Sequence, residues 1–187
     1  MGADATGLVA GMKLRFLLLA AVLPFTAVVL AETPSSAAAP AEVPYPDGYR
    51  RWAHVASAVV STKMGAAGAE AEKEKAAAPH GLIHNLYANE LALEGYRTGH
   101  FPEGAVLIAD WFFLEETRGG LKQGPRKSVD VMIRDARQVE TGGWGFENFE
   151  QNSHTQRNVG AKAVTSCFKC HQFAGPEREF VFSTLLP

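Results

Sequence analysis

Cys167-Phe168-Lys169-Cys170-His171 forms a C-x-x-C-H run. Two thiols at this spacing can each add to a haem vinyl group and form a thioether. The histidine that follows then offers its imidazole to the iron from the proximal side. Cys167 and Cys170 are therefore read as haem attachment points, and His171 as the proximal iron ligand. Two other chemistries use such a pair. A structural zinc site needs further Cys or His ligands at suitable spacing, but the chain holds only 2 cysteines, both in this run. A thioredoxin-like redox pair follows a first strand early in an α/β domain, whereas this pair lies near the C-terminal end of the sequence.

An export signal agrees with covalent haem attachment, which takes place outside the cytoplasmic membrane. Met12-Lys13-Leu14-Arg15 is a basic start, Phe16 to Leu30 is apolar, and Val29-Leu30-Ala31 suits cleavage before Glu32. Residues 1–31 are read as a signal peptide, with 1–11 an extension upstream of a start at Met12. The apolar run of about 15 residues is short for a membrane span, which needs about 20. The expected location is therefore periplasmic.

Removing Lys13, Arg15 and Asp4 from the 18 basic and 20 acidic residues leaves 16 and 19. That mild negative balance argues against nucleic acid as a partner. No cysteine remains for a disulfide, so packing and cofactor must hold the fold.

The elements that position the motif follow from patterning. Residues 32–47, rich in Pro, Ala and Ser, read as a flexible linker, and 48–187 as one domain. Residues 52–62 suit a strand, and 65–79 a low-complexity run with no assigned function. Leu82 to Ala88 reads as a strand. Asn89 then caps a helix over 90–98 that ends at Gly99. Ala105 to Leu114 is a strongly apolar strand, Arg118 to Pro125 a loop, and Ser128 to Ile133 another strand. Gly142 to Phe146 is glycine-rich with aromatics. Ala161 to Cys170 suits a helix, and Glu179 to Ser183 a last strand. Four strand-like runs before the motif contradict a four-helix cytochrome bundle. The fold class is α+β, rich in antiparallel sheet.

Five segments in order resemble the cytochrome P-460 family. They are Tyr49-Arg50-Arg51-Trp52, Tyr87-Ala88-Asn89, Gly95 to Gly104 (GYRTGHFPEG), Gly142-Gly143-Trp144-Gly145-Phe146 and the terminal C-x-x-C-H. The resemblance implies an antiparallel sheet with a few helices, and a homodimer. It also implies one of two functional types. Cytochromes P-460 proper oxidise hydroxylamine with a haem cross-linked to a lysine. Cytochromes c′-β lack that bond and bind nitric oxide or carbon monoxide at a five-coordinate haem. In the cross-linked type the lysine lies five residues beyond the glycine matched by Gly104. Ala109 stands there, and Ala105 to Glu116 contains no lysine. The resemblance thus favours the c′-β type.

Other candidates read as structural. Met64 and Met132 are the methionines left to serve as a sixth ligand, and each reads as packing. His84 lies where the family sheet can line the distal pocket, yet its plain reading is a half-exposed strand residue. His54, His80, His100 and His154 are scattered. Trp111 and Phe113 share one face of their strand and Phe112 the other. Trp144, Phe146 and Phe149 read mostly as core. Asp110, Glu115, Glu116, Arg126 and Lys127 read as surface charge. The expectation is an exported mono-haem c-type cytochrome with an empty, apolar distal site. It would bind nitric oxide or another small diatomic ligand, with electron transfer to a redox partner protein as an accompanying role. Hydroxylamine oxidation and a six-coordinate electron carrier are the alternatives.

Overall fold

Five strands follow one another in sequence and pair in the same order, as short antiparallel connections favour. The computed structural model describes residues 42–60 and 76–185; the export signal and Met64 lie outside them. The strands are β1 (Ala53–Val60), β2 (Leu82–Ala88), β3 (Val106–Thr117), β4 (Gly120–Arg134) and β5 (Trp144–Glu150). They form one antiparallel sheet in the order β1-β2-β3-β4-β5. Among the described residues, no helix is long and apolar enough to cross a membrane.

Helix α1 (Glu90–Thr98) links β2 to β3. Asn89 starts it as expected. Its Oδ1 accepts the Ala92 N–H at 2.9 Å and the Val106 N–H at 3.0 Å, and its Nδ2 donates to the Gly104 carbonyl. One side chain thus caps the helix and pins the first residue of β3. Gly99 ends the helix in the left-handed region at φ 77°.

The central strand β3 is apolar on both sides because both faces of the sheet are covered. Directly paired residues share a face, so the register separates two cores. Leu107, Met132 and Phe146 fall on one face, packed with Ala92, Phe101, Phe168 and Val181. Ile108, Val131 and Phe149 belong to the other, packed with Val43 and Tyr49. Val43 lies inside the segment expected to be a linker and is buried, so the packed chain starts before Gly48.

Three further expectations are corrected. The loop expected over 118–125 is a tight turn, because β4 already begins at Gly120, opposite Thr117. A register shift between Phe112 and Leu114 absorbs Gly124 and Pro125, and β5 pairs only from Ser128 onward. Pro125 therefore sits at a bulge on an unpaired edge, where its missing N–H costs little. The glycine-rich run leads directly into β5, which the pattern hid. Finally, 179–183 is not a strand: Glu179 and Phe180 have left-handed φ angles of 47° and 63°, and the chain turns back on itself there.

Asp110 is the largest departure. It is no surface charge, with 0% exposure in the middle of β3. Its carboxylate accepts the Tyr49 hydroxyl at 2.7 Å, Arg50 at 2.9 and 3.1 Å, and Arg126 at 2.7 and 3.3 Å. The two guanidiniums flank the Phe112 ring at 5.5 and 5.3 Å. A buried carboxylate survives only with such partners. Glu116 and Lys127 are exposed, and Glu115 pairs with the exposed Lys122.

Candidate haem site

A helical stretch after β5 carries the cysteine motif. It runs as a 3-10 turn (Gly160–Lys162), a π turn (Val164–Phe168), α2 (Lys169–His171) and a second 3-10 turn (Gln172–Ala174). A π turn is a rare geometry that recurs at functional sites. Phe168 buries into the core and anchors the stretch against Phe146 and Phe180. Cys167 and Cys170 lie three residues apart on one helical face, and both thiols are free. Cys170 is exposed, whereas Cys167 borders a cavity, and burial pushes its thiol up from its ordinary value.

His171 opens on the same cavity, of about 220 Å³. Its Nδ1 lies 2.9 Å from the Phe180 carbonyl. A carbonyl oxygen only accepts, so Nδ1 carries the proton and donates it. Nε2 is left with its lone pair free for a metal. Burial lowers the imidazole's pKa below its ordinary value, against the opposing pull of that carbonyl. The ring packs between Phe146 and Phe182, with centroids 5.0 and 5.1 Å away.

The carbonyl that orients His171 is itself held firmly. Trp144 Nε1 donates to the Glu179 carbonyl at 2.9 Å. The Glu179 carboxylate accepts the Phe101 N–H at 2.9 Å and pairs with His100. Gly142, at φ 65°, lies beneath the Phe180 ring, where a Cβ would come within 2.3 Å of it. These ties hold two consecutive left-handed residues that L side chains rarely adopt.

The sheet supplies the cavity's other wall. The register sets Leu86, Ala109 and Asp130 in one row and His84, Trp111 and Ser128 in the next. Sequence alternation left open which face of β3 meets the site; it is the face of Leu107, Ala109 and Trp111, with Phe112 turned away. Met132 is buried on this wall beside Phe146. The wall is mainly apolar but not wholly so. Asp130 accepts from Ser128 and Asn148, and burial raises its carboxyl above the ordinary range. His84 stacks on Trp111, with centroids 4.3 Å apart and planes at 23°. His84 is the partly exposed strand residue of its plain reading, and it also lines the cavity. His54 bonds Ser57, His100 pairs with Glu179, His154 stacks on Tyr45, and the exposed His80 lies beyond this wall.

The cytochrome P460 family model matches residues 46–183. The chain belongs to the cytochrome P460 family. It is accordingly a haem-binding cytochrome, and the expected antiparallel α+β fold holds. No curated protein matches the chain. The residues around the cavity fit a haem. A histidine presents a free Nε2, two reduced thiols lie beside it, and the lining is apolar with aromatic groups. When bound, such a group supplies an iron that takes small ligands or exchanges single electrons. The chain's own contribution is to orient His171, shed water from the apolar wall and shape the space opposite.

Proposed function

We propose that the chain is an exported mono-haem c-type cytochrome. Cys167 and Cys170 hold the macrocycle through thioethers, His171 Nε2 is the one protein ligand to iron, and the open position takes nitric oxide or another small diatomic ligand. The observation that carries this reading is Ala109. It lines the cavity between Leu86 and Asp130, and among the described residues no lysine lines the cavity. Alanine has no amine to bond a porphyrin edge. The macrocycle therefore keeps ordinary c-type electronics, which do not favour multi-electron hydroxylamine oxidation.

The signal-like residues before Glu32 support a periplasmic location. Phe173, 86% exposed just after the motif, gives an apolar contact for a second copy or a redox partner protein. Two measurements on the purified protein test the reading. Mass spectrometry of the tryptic haem peptide should find haem joined only to sequence between Ala163 and Arg178; a second peptide joined through lysine would turn the function to catalysis. The ferrous spectrum should be high-spin and respond to carbon monoxide. Sharp low-spin bands without that response would indicate an electron carrier, with Met132 the ligand to test first.

A further inference from the structure

The polar side chains on the cavity wall have partners within the protein, with one exception. Asp130 is engaged by Ser128 and Asn148, Glu147 by the Val159 N–H, and Ser183 by Tyr96. His171 gives its Nδ1 proton to Phe180. His84 Nδ1 is buried and, among the described residues, has no hydrogen-bond partner.

The state of that ring follows from its surroundings. Burial lowers its pKa, so at neutral pH the imidazole is uncharged and carries one N–H. A buried N–H without an acceptor is rarer and more costly than an unmatched lone pair. The proton therefore sits on Nε2, and the buried Nδ1 keeps the lone pair. Stacking on Trp111 fixes the plane of the ring, on a residue that lines the cavity. Beside it Leu86 and Ala109 are apolar and offer no acceptor.

We propose that His84 Nε2–H is the hydrogen-bond donor to whatever small ligand occupies this cavity. It selects ligands whose outer atom accepts a hydrogen bond, such as azide or nitrite, over weak acceptors such as carbon monoxide. The inference rests on the reading above, in which iron held by His171 has an open position. His84 is a specificity residue in this role, acting on the ligand's outer atom.

The test compares the wild-type haem protein with His84→Leu and His84→Gln, after circular dichroism has confirmed that each is folded. Azide binding to the ferric form and the C–O stretch of the ferrous carbon monoxide complex are measured. His84→Leu should weaken azide about 3- to 10-fold, the range a neutral hydrogen bond supplies. It should also raise the C–O stretching frequency while leaving carbon monoxide affinity within about 2-fold. His84→Gln, which keeps an N–H, should recover part of both effects. Unchanged azide affinity and C–O stretch in the variants would overturn the proposal and leave the diatomic-binding reading intact. A low-spin wild type that gains carbon monoxide binding only in His84→Leu would also overturn it, since His84 would then ligate iron. Should every variant be low-spin and closed to carbon monoxide, the open-site reading itself falls. If His84→Leu does not fold, His84→Phe takes its place: weakened azide binding with a raised C–O stretch supports the donor, and parity with wild type on both readouts overturns it.

Discussion

Replacing Asp110 with alanine should be among the most damaging single changes in this domain. The carboxylate accepts five hydrogen bonds from three side chains, two of them 60 and 61 residues earlier in the chain and one 16 residues later. The partners do not lose equally. Arg50 has 52% of its side chain exposed and would turn to water at little cost. Arg126, with 13% exposed, would keep only Asn152 as an acceptor, and the buried Tyr49 hydroxyl would lose its carboxylate partner. A bond to a charged group contributes about 1.5–3 kcal/mol, and a stranded buried hydroxyl costs about 1–3 kcal/mol. Together they predict a loss of about 3–5 kcal/mol, the usual cost of removing one partner from a buried ion pair. Urea unfolding followed by circular dichroism measures it, through the shift in midpoint at unchanged slope. Asp110→Leu with Arg126→Leu should be less harmful than Asp110→Leu alone, because no charge is stranded. A loss below about 1 kcal/mol for Asp110→Ala, or no recovery in the double variant, would refute the view that this carboxylate locks the sheet's far face.

Cys167→Ala with Cys170→Ala should abolish haem retention through acid–acetone extraction, while a variant pair still holding haem would show that the thiols do not carry it. Asn89→Ala should cost about 2–3 kcal/mol in chemical unfolding, since a helix cap and two further bonds vanish together; Asn89→Asp, which keeps the accepting oxygen, should cost less. Asp130→Asn should stabilise the protein increasingly as pH rises, because burial disfavours the charged form of the wild-type carboxyl. The folded pKa is raised, so wild-type stability falls as pH rises from the unfolded value of 3.8 through the folded one. The advantage of asparagine should therefore shrink in acid, and an advantage that grows in acid would reverse the assigned sign.

Local signals were strong wherever one element answered to its own neighbours in sequence. Asn89 and Gly99 bracket α1 as expected, and the C-x-x-C-H spacing needs only five residues. What stayed hidden depends on partners far away. Asp110 looks like a surface charge until Tyr49 and Arg50 arrive from the opposite end of the domain. A lone carboxylate within a ten-residue apolar run was the available signal. β5 was masked by the glycines that precede it, and the start of β4 by a proline that a bulge accommodates. His84 was ambiguous because alternation tells which residues share a face, not what covers that face. The left-handed pair Glu179–Phe180 had no signal at all, since neither residue is a glycine.

That pair bears on the order in which the molecule is put together. The segment carrying Glu179 and Phe180 fastens to Phe101, Trp144 and Tyr96, partners 35 to 87 residues earlier in the chain. Contacts of such separation close late, because their loop entropy must be overcome first. The same segment gives His171 its carbonyl partner and lines the cavity with Val181 and Ser183. Until it docks, the motif helix stands open on that side and His171 can turn freely. Under the proposed reading, the machinery that joins haem to the thiols works on a domain whose sheet is formed but whose final latch is undone. Docking then fixes the histidine and closes the wall in one movement, so variants that weaken the latch should still gain covalent haem and show their fault in ligand binding.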